Sequence, residues 1–220
     1  MNHTEFSNEF DILYNNIMSN AAPGLSEYDK SVLLTKAQEE LVISIYTGRN
    51  TLGIGFEIVE ESRRYLDVLV KTVTITDKLI GKKGVSPSSI FYSIPDDVWF
   101  ITYEAATLSS PELKCSDKDA AVIPTLQDDY FRVKDNPYRG PSKDRVLRLD
   151  SEGNTAELIS LRYLRKPSPI ILADLSEYNV TINGISTITE CELNTALHNL
   201  ILEYAVKMAK AMYQGDIQAG

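Results

Sequence analysis

The longest β-prone run of this chain ends against two prolines, and that ending limits where the run can go. Ala156 to Leu164 is followed by Arg165-Lys166-Pro167-Ser168-Pro169-Ile170-Ile171-Leu172. Each proline lacks a backbone N–H, so this tail cannot lie inside a sheet and fits an edge or an extended arm. A second β-prone run, Arg145 to Leu149, comes before it. The gap Asp150-Ser151-Glu152-Gly153-Asn154 is polar and carries Gly153, which reads as a hairpin connection. An irregular loop, Asn136 to Pro141, leads into the pair, and helical patterns stand on both sides.

Those helical patterns begin at the N-terminus. Phe6, Phe10, Leu13, Tyr14 and Ile17 recur at three- and four-residue spacing, which predicts a helix over Thr4 to Ala21, stopped by Ala22-Pro23-Gly24. Ser26 with Asp29 is a start signal for a second helix running to Tyr46, with Leu34, Ala37, Leu41 and Ile45 on one face and Gly48 as C-cap. The two should pack as an antiparallel hairpin. At the other end, Thr189 and Glu192 spell a capping box. Leu193, Ala196, Leu197, Leu200, Ile201, Tyr204, Ala205, Met208 and Met212 follow as a wide apolar stripe that Gly215 should end. A stripe this wide needs more than one neighbour, so the terminal helices are expected to form a bundle.

Between them the period changes. Phe56 to Leu69 is helix-prone, and Val70 to Thr76 alternates β-branched residues as a strand does. Gly81-Lys82-Lys83-Gly84 is a turn; Ser89 to Ile94 and Val98 to Leu108 read as strands, with Trp99, Ile101 and Tyr103 on one buried face. Ser109 to Asp119 is loop-like, Leu126 to Val133 suggests a short helix, and Val180 to Ile185 a turn-containing β segment. The fold class is therefore α+β. Residues 1–69 supply the N-terminal helices, 70–188 a β-rich insertion with the hairpin and proline arm, and 189–220 the helix that completes the bundle.

Composition narrows the function. The chain has 220 residues with 43% hydrophobic content, enough for a core. No apolar run approaches the roughly 20 residues needed to cross a bilayer, and Met1 to Phe6 does not open a signal peptide. Two distant cysteines, Cys115 and Cys191, make no disulfide framework and suit a reduced cytosolic origin. The formal charge of −9 argues against gripping nucleic acid by counterion release, yet suits a wall past which DNA slides without sticking.

Catalytic signals are sparse. Nucleotide-binding glycine loops, H-E-x-x-H and G-x-S-x-G are all absent, and with only His3 and His198 a histidine-rich metal site is excluded. Cys191 and His198 stand two helical turns apart, roughly 10 Å along an axis, too far for a nucleophile–base hydrogen bond. Asp117 with Asp119, Asp128 with Asp129, and Asp150 with Glu152 sit where loops and helix starts carry acids anyway. No metal and no cofactor is expected. Arg162, Arg165 and Lys166, with Arg145 and Arg148 opposite across the hairpin, form one local charge reversal suited to an acidic partner or phosphate. The arm Pro167, Pro169, Ile170, Ile171, Leu172 is either an exposed hook for a neighbour or a buried β segment.

Four stretches carry a family resemblance: Glu5 to Ile17, Ala22 to Gln38, Asp128-Asp129-Tyr130 through Asn136-Pro137-Tyr138 and Pro141, and Leu161 to Leu172. With these the chain resembles head–tail connector (adaptor, or ring) proteins of short-tailed bacteriophages, of the crAss-like type. The resemblance implies a structural virion protein without enzymatic activity. It implies a ring, usually of twelve copies, below the portal protein, with further tail or ring proteins nearby and DNA passing through the bore. It also implies assembly in the host cytoplasm and residence at the head–tail junction of the virion. Arg162, Arg165, Lys166 and the arm to Leu172 are the expected subunit or portal contacts, and Met212 and Tyr213 the expected start of a portal-docking end. The competing readings are a metal-dependent hydrolase and a monomeric regulatory domain.

Overall fold

A computed structural model describes residues 1–17, 24–49, 60–77, 89–109, 120–122, 138–139, 146–150 and 155–219. The described elements are α1 (His3–Ile17), α2 (Glu27–Thr47), α3 (Glu60–Leu66), β1 (Val70–Ile75), β2 (Ser89–Ser93), β3 (Val98–Ser109), β4 (Ala120–Val122), β5 (Tyr138–Arg139), β6 (Val146–Asp150), β7 (Thr155–Arg165) and α4 (His198–Ala219). The fold is α+β. It divides into two compact units, residues 1–69 with 167–220, and residues 70–166. The stretch 167–188, expected in the insertion, thus belongs with the helices. The turn at Gly81–Gly84, the helix over Leu126–Val133, the loop 110–119, the acid pairs Asp117/Asp119 and Asp128/Asp129, and the connection 151–154 lie outside the described residues.

In the helical unit the local chemistry sets the ends of α2. The Ser26 hydroxyl accepts from the Asp29 N–H, and the Asp29 carboxylate accepts from the Ser26 N–H, each at 3.2 Å. The capping box therefore satisfies donors that a helix start leaves without intrahelical partners. Gly48 closes the helix at φ 73°, a left-handed conformation that glycine adopts without a Cβ penalty. Phe6, Phe10 and Tyr14 of α1 are buried four residues apart, and α1 packs against α2 and α4. Leu34, Ala37, Leu41, Val42 and Ile45 of α2 and Ile201, Ala205 and Ala209 of α4 are buried as well. Each large apolar side chain removed from water contributes about 1.5–3 kcal/mol. Lys30 is buried at 2% exposure, and its Nζ donates to Asp11 (2.7 Å), Glu27 (2.9 Å) and Ser7 (3.1 Å). Burial alone would lower its pKa; the hydrogen bonds to Asp11 and Glu27 more than offset that, and the ammonium is held charged.

The C-terminal helix starts differently from expectation. Thr189 lies in an antiparallel bridge with Ile171, and Glu192 is occupied elsewhere, so no T-x-x-E box forms. Asn194 caps instead, its side chain accepting from the Ala196 N–H at 3.0 Å, and a 3-10 turn over Thr195–Leu197 leads into α4. The helix continues through Gly215 to Ala219. Between Ile182 and Ile185 the chain reverses in two residues, Asn183 (φ 52°) and Gly184 (φ 82°). Positive φ at both central positions is the demand of a type I′ turn, which Asn-Gly meets at low cost.

In the β unit one antiparallel sheet has the order β1-β7-β3-β4 and another the order β2-β6-β5. The expected hairpin of 145–149 with 156–164 does not form. β6 pairs with β2 and β5, while β7 lies between β1 and β3. A β-prone pair around a polar gap favours a hairpin only if no other strand offers a better ladder. Here β3 offers β7 a register running from Val98 opposite Arg165 to Ser109 opposite Thr155. Ile159, Leu161 and Tyr163 of β7 point to one face and are buried with Ile75, Val98 and Tyr92. Tyr92, fully buried on β2, brings the second sheet to the same core. On β3 the expected face is interrupted. Two residues of β3 oppose one of β7 between Val98 and Phe100, and again between Ile101 and Tyr103. Each bulge shifts the period-two alternation; Trp99 and Ile101 remain half-buried, whereas Tyr103 is 41% exposed.

Candidate functional site

The proline segment is extended, as its composition requires, but it does not project. Pro167, Pro169, Ile170, Ile171 and Leu172 are all buried within the helical unit. Ser31, Thr35 and Gln38 stand at i, i+4 and i+7 on α2, one stripe of a helix, and all three are buried polar side chains. They read the main chain of the segment. Gln38 Nε2 donates to the Ser168 carbonyl (2.8 Å), and Ser31 Oγ accepts from the Leu172 N–H (2.9 Å). Thr35 Oγ1 accepts from the Ile170 N–H (3.1 Å) and donates to its carbonyl (3.3 Å). The Ile171 N–H donates to the Thr189 carbonyl at 3.0 Å, and the Ser168 N–H to Glu192 Oε1 at 2.7 Å. With prolines at 167 and 169, every backbone donor from 167 to 172 is accounted for, the condition for burying a strand outside a sheet. This is also why Glu192 is unavailable to cap α4. The exposed-hook alternative is corrected: these side chains face the protein's own α2.

The basic run at the end of β7 is more open. Arg162 is exposed with its guanidinium over the Tyr103 ring, 5.8 Å from the centroid. Arg165 is half-buried and Nη1 donates to the Lys166 carbonyl at 3.3 Å; Lys166 is exposed. β6, the strand of Arg148, pairs with β2 and β5 in the other sheet and not with β7, and Arg145 lies outside the described residues. Nearby, Lys71 Nζ binds Asp97 at 2.6 Å, and the Tyr163 hydroxyl donates to the same carboxylate at 2.9 Å. Lys71 holds the Asp97 carboxyl below the usual range, while burial and then Asp97 push the Tyr163 phenol up to about 12. Met212 is 63% exposed and Tyr213 half-buried. They line a cavity of about 270 Å³ in the helical unit together with Tyr14, Tyr28 and Leu33.

Nothing resembling a nucleophile–base pair is assembled from Cys191 and His198. The Cys191 thiol donates to Gln38 Oε1 at 3.3 Å, and burial pushes its pKa up to about 11. His198 lies tilted against Phe6, with ring centroids 5.3 Å apart, hydrogen-bonds the Leu193 carbonyl through Nε2 (3.1 Å) and receives the Met1 amine at Nδ1 (2.7 Å). Both ring nitrogens are therefore committed to neighbours other than Cys191. Among the described residues no group of three or more His, Cys, Asp and Glu side chains is placed to hold a metal ion, and no helix is long and apolar enough to cross a membrane. The α2 ladder of Ser31, Thr35 and Gln38 was missed from sequence; its one signal is polar residues on the apolar face of an otherwise regular helix.

Comparison with known proteins accounts for this absence of catalytic geometry. The family model for phage tail ring protein 3/4 matches residues 1–219. The chain is 51% identical over 219 residues, 95% of each chain, to ring protein 3 of Bacteroides phage crAss001. It is 40% identical over 241 aligned positions to ring protein 4/5 of the same phage, covering 100% of this chain and 96% of the relative. These relatives are structural ring proteins, which overturns the hydrolase alternative. The chain belongs to the phage tail ring protein 3/4 family and is a structural ring protein of the virion, not an enzyme.

Proposed function

We propose that the protein forms a closed ring of twelve copies at the head–tail junction, below the portal protein and next to further ring or tail proteins, and that DNA passes through its bore during ejection without specific binding. Assembly takes place in the host cytoplasm. The observation that carries this reading is the end-to-end match to a ring protein, which covers the terminal helices and the β unit alike. The formal charge of −9 supports a bore that repels phosphate.

In this reading Arg162, Arg165 and Lys166 supply subunit or portal contacts, and Met212 with Tyr213 begins the portal-docking end. The buried residues Pro167, Pro169, Ile170, Ile171 and Leu172 act from within, by tying the segment to α2 inside the helical unit. The test is to disrupt native particles, isolate the protein with its neighbours and image them by electron microscopy. Rings stacked on a portal-like disc, with a rotational symmetry giving the copy number, are expected. Single small particles without rings or partners would overturn the proposal.

A further inference from the structure

Charge is divided unevenly between the two compact units. Residues 1–69 with 167–220 hold seventeen acidic and seven basic residues, a formal −10; residues 70–166 hold fourteen and fifteen, a formal +1. Two copies meeting helical unit to helical unit would bring like charges together. A ring must in any case join two different surfaces of the same chain, since a self-matching patch closes a dimer. Charge therefore favours a contact in which the β unit of one copy meets the helical unit of the next.

Each unit presents a surface of the required chemistry. On the β unit, the Arg162 guanidinium sits over the Tyr103 ring, 5.8 Å from its centroid, in the middle of the sheet, flanked on β1 by the exposed Thr72. Tyr103 is 41% exposed, and among the described residues no carboxylate lies within ion-pair reach of Arg162. A guanidinium already held over a ring loses less freedom on binding than a free one, and Arg and Tyr are both enriched among interface anchors. On the helical unit, α1 contains three acidic residues and no Lys or Arg. Asp11 is committed to Lys30. Glu5, Glu9 and Ile12 are exposed at i, i+4 and i+7, one outer stripe, with Ile12 at 59% exposure; Glu5 Oε2 already accepts from the Asn2 N–H at 2.9 Å and lies 4.0 Å from the Met1 amine. The stripe offers the Glu9 carboxylate for the guanidinium, with Glu5 beside it adding negative charge, and the Ile12 side chain for the tyrosine ring.

Resting on the ring reading above, we infer that the Arg162–Tyr103 face of one copy docks on the Glu5–Glu9–Ile12 face of α1 in a second copy. The test uses the full chain and follows assembly by sedimentation against concentration, at low and high salt. Wild type is expected to form rings, and more weakly at high salt, because exposed ion pairs are screened. R162E and E9R should each raise the concentration for half-assembly by about tenfold or more, the range of an interface anchor. Both sites are exposed, so unchanged circular dichroism confirms that the variants fold. The double variant R162E/E9R should restore assembly. Single variants that assemble like wild type, or a double variant no better than the singles, would overturn this contact and leave the ring standing. Wild type that stays monomeric throughout would overturn self-assembly itself.

Discussion

Thr35 uses one hydroxyl for both backbone groups of Ile170, and both residues are buried. Thr35→Val keeps the shape and deletes the oxygen, leaving an N–H and a C=O without partners in a dry site. The variant should lose about 1–3 kcal/mol, read as a lower urea midpoint at unchanged slope. His198 makes a pH-dependent contribution with a definite sign. Burial lowers its pKa below the ordinary 6.5, the hydrogen bond with Leu193 opposes this in part, and the Met1 amine adds to it. The unfolded chain therefore binds the proton more readily. Stability is full above pH 6.5 and is lost as pH falls from there toward the depressed folded value. Urea midpoints across this window should decline in wild type. In His198→Asn that part of the slope should vanish, although the variant is less stable at every pH.

Among elements, α4 shows how far periodicity carries. The expected stripe contains Leu197, Ile201 and Ala205, which are buried, but also Leu200 and Met212, which are 41% and 63% exposed. Leu202, Val206 and Ala209 are buried instead. A helix that is apolar over most of its circumference signals burial without naming the centre of the buried face; the positions of α1 and α2 decide that. Leu197→Asp should place an unpaired carboxylate in the core and unfold the helical unit, a loss beyond about 3 kcal/mol. Leu200→Asp should stay within about 1 kcal/mol of wild type. Thermal melts by circular dichroism separate the two, and equal melts would refute the orientation of α4. Strand pairing has the same character. The β propensities of 145–149 and 156–164 were legible, but the partners were not, because neighbouring strands competed for the same edges.

For the whole molecule, the residues that local chemistry governs could be named from the sequence: the Ser26–Asp29 capping box, the Gly48 cap, the Asn183-Gly184 turn, the terminal helices and the α+β class. Each depends on groups within a few positions of one another, where geometry follows from the residue types. The Arg162–Arg165–Lys166 charge reversal was legible on the same basis, and the prolines marked 167–172 as a strand barred from sheets. What the prolines could not tell was where that strand would rest. Its donors are met by Ser31 and Thr35, from more than 130 positions away, and by Glu192, which a capping motif had claimed. The sheet assignment of β6 and β7, the bulges that expose Tyr103 and the rotation of α4 are of the same kind. By itself the sequence determined the α+β class, the terminal helices and both ends of α2, because those energies are local, whereas the start and end of α4 departed from the local signals. Only the tertiary structure decided which apolar faces meet and which buried donor finds which acceptor, because those choices balance contacts between distant segments that no short pattern records.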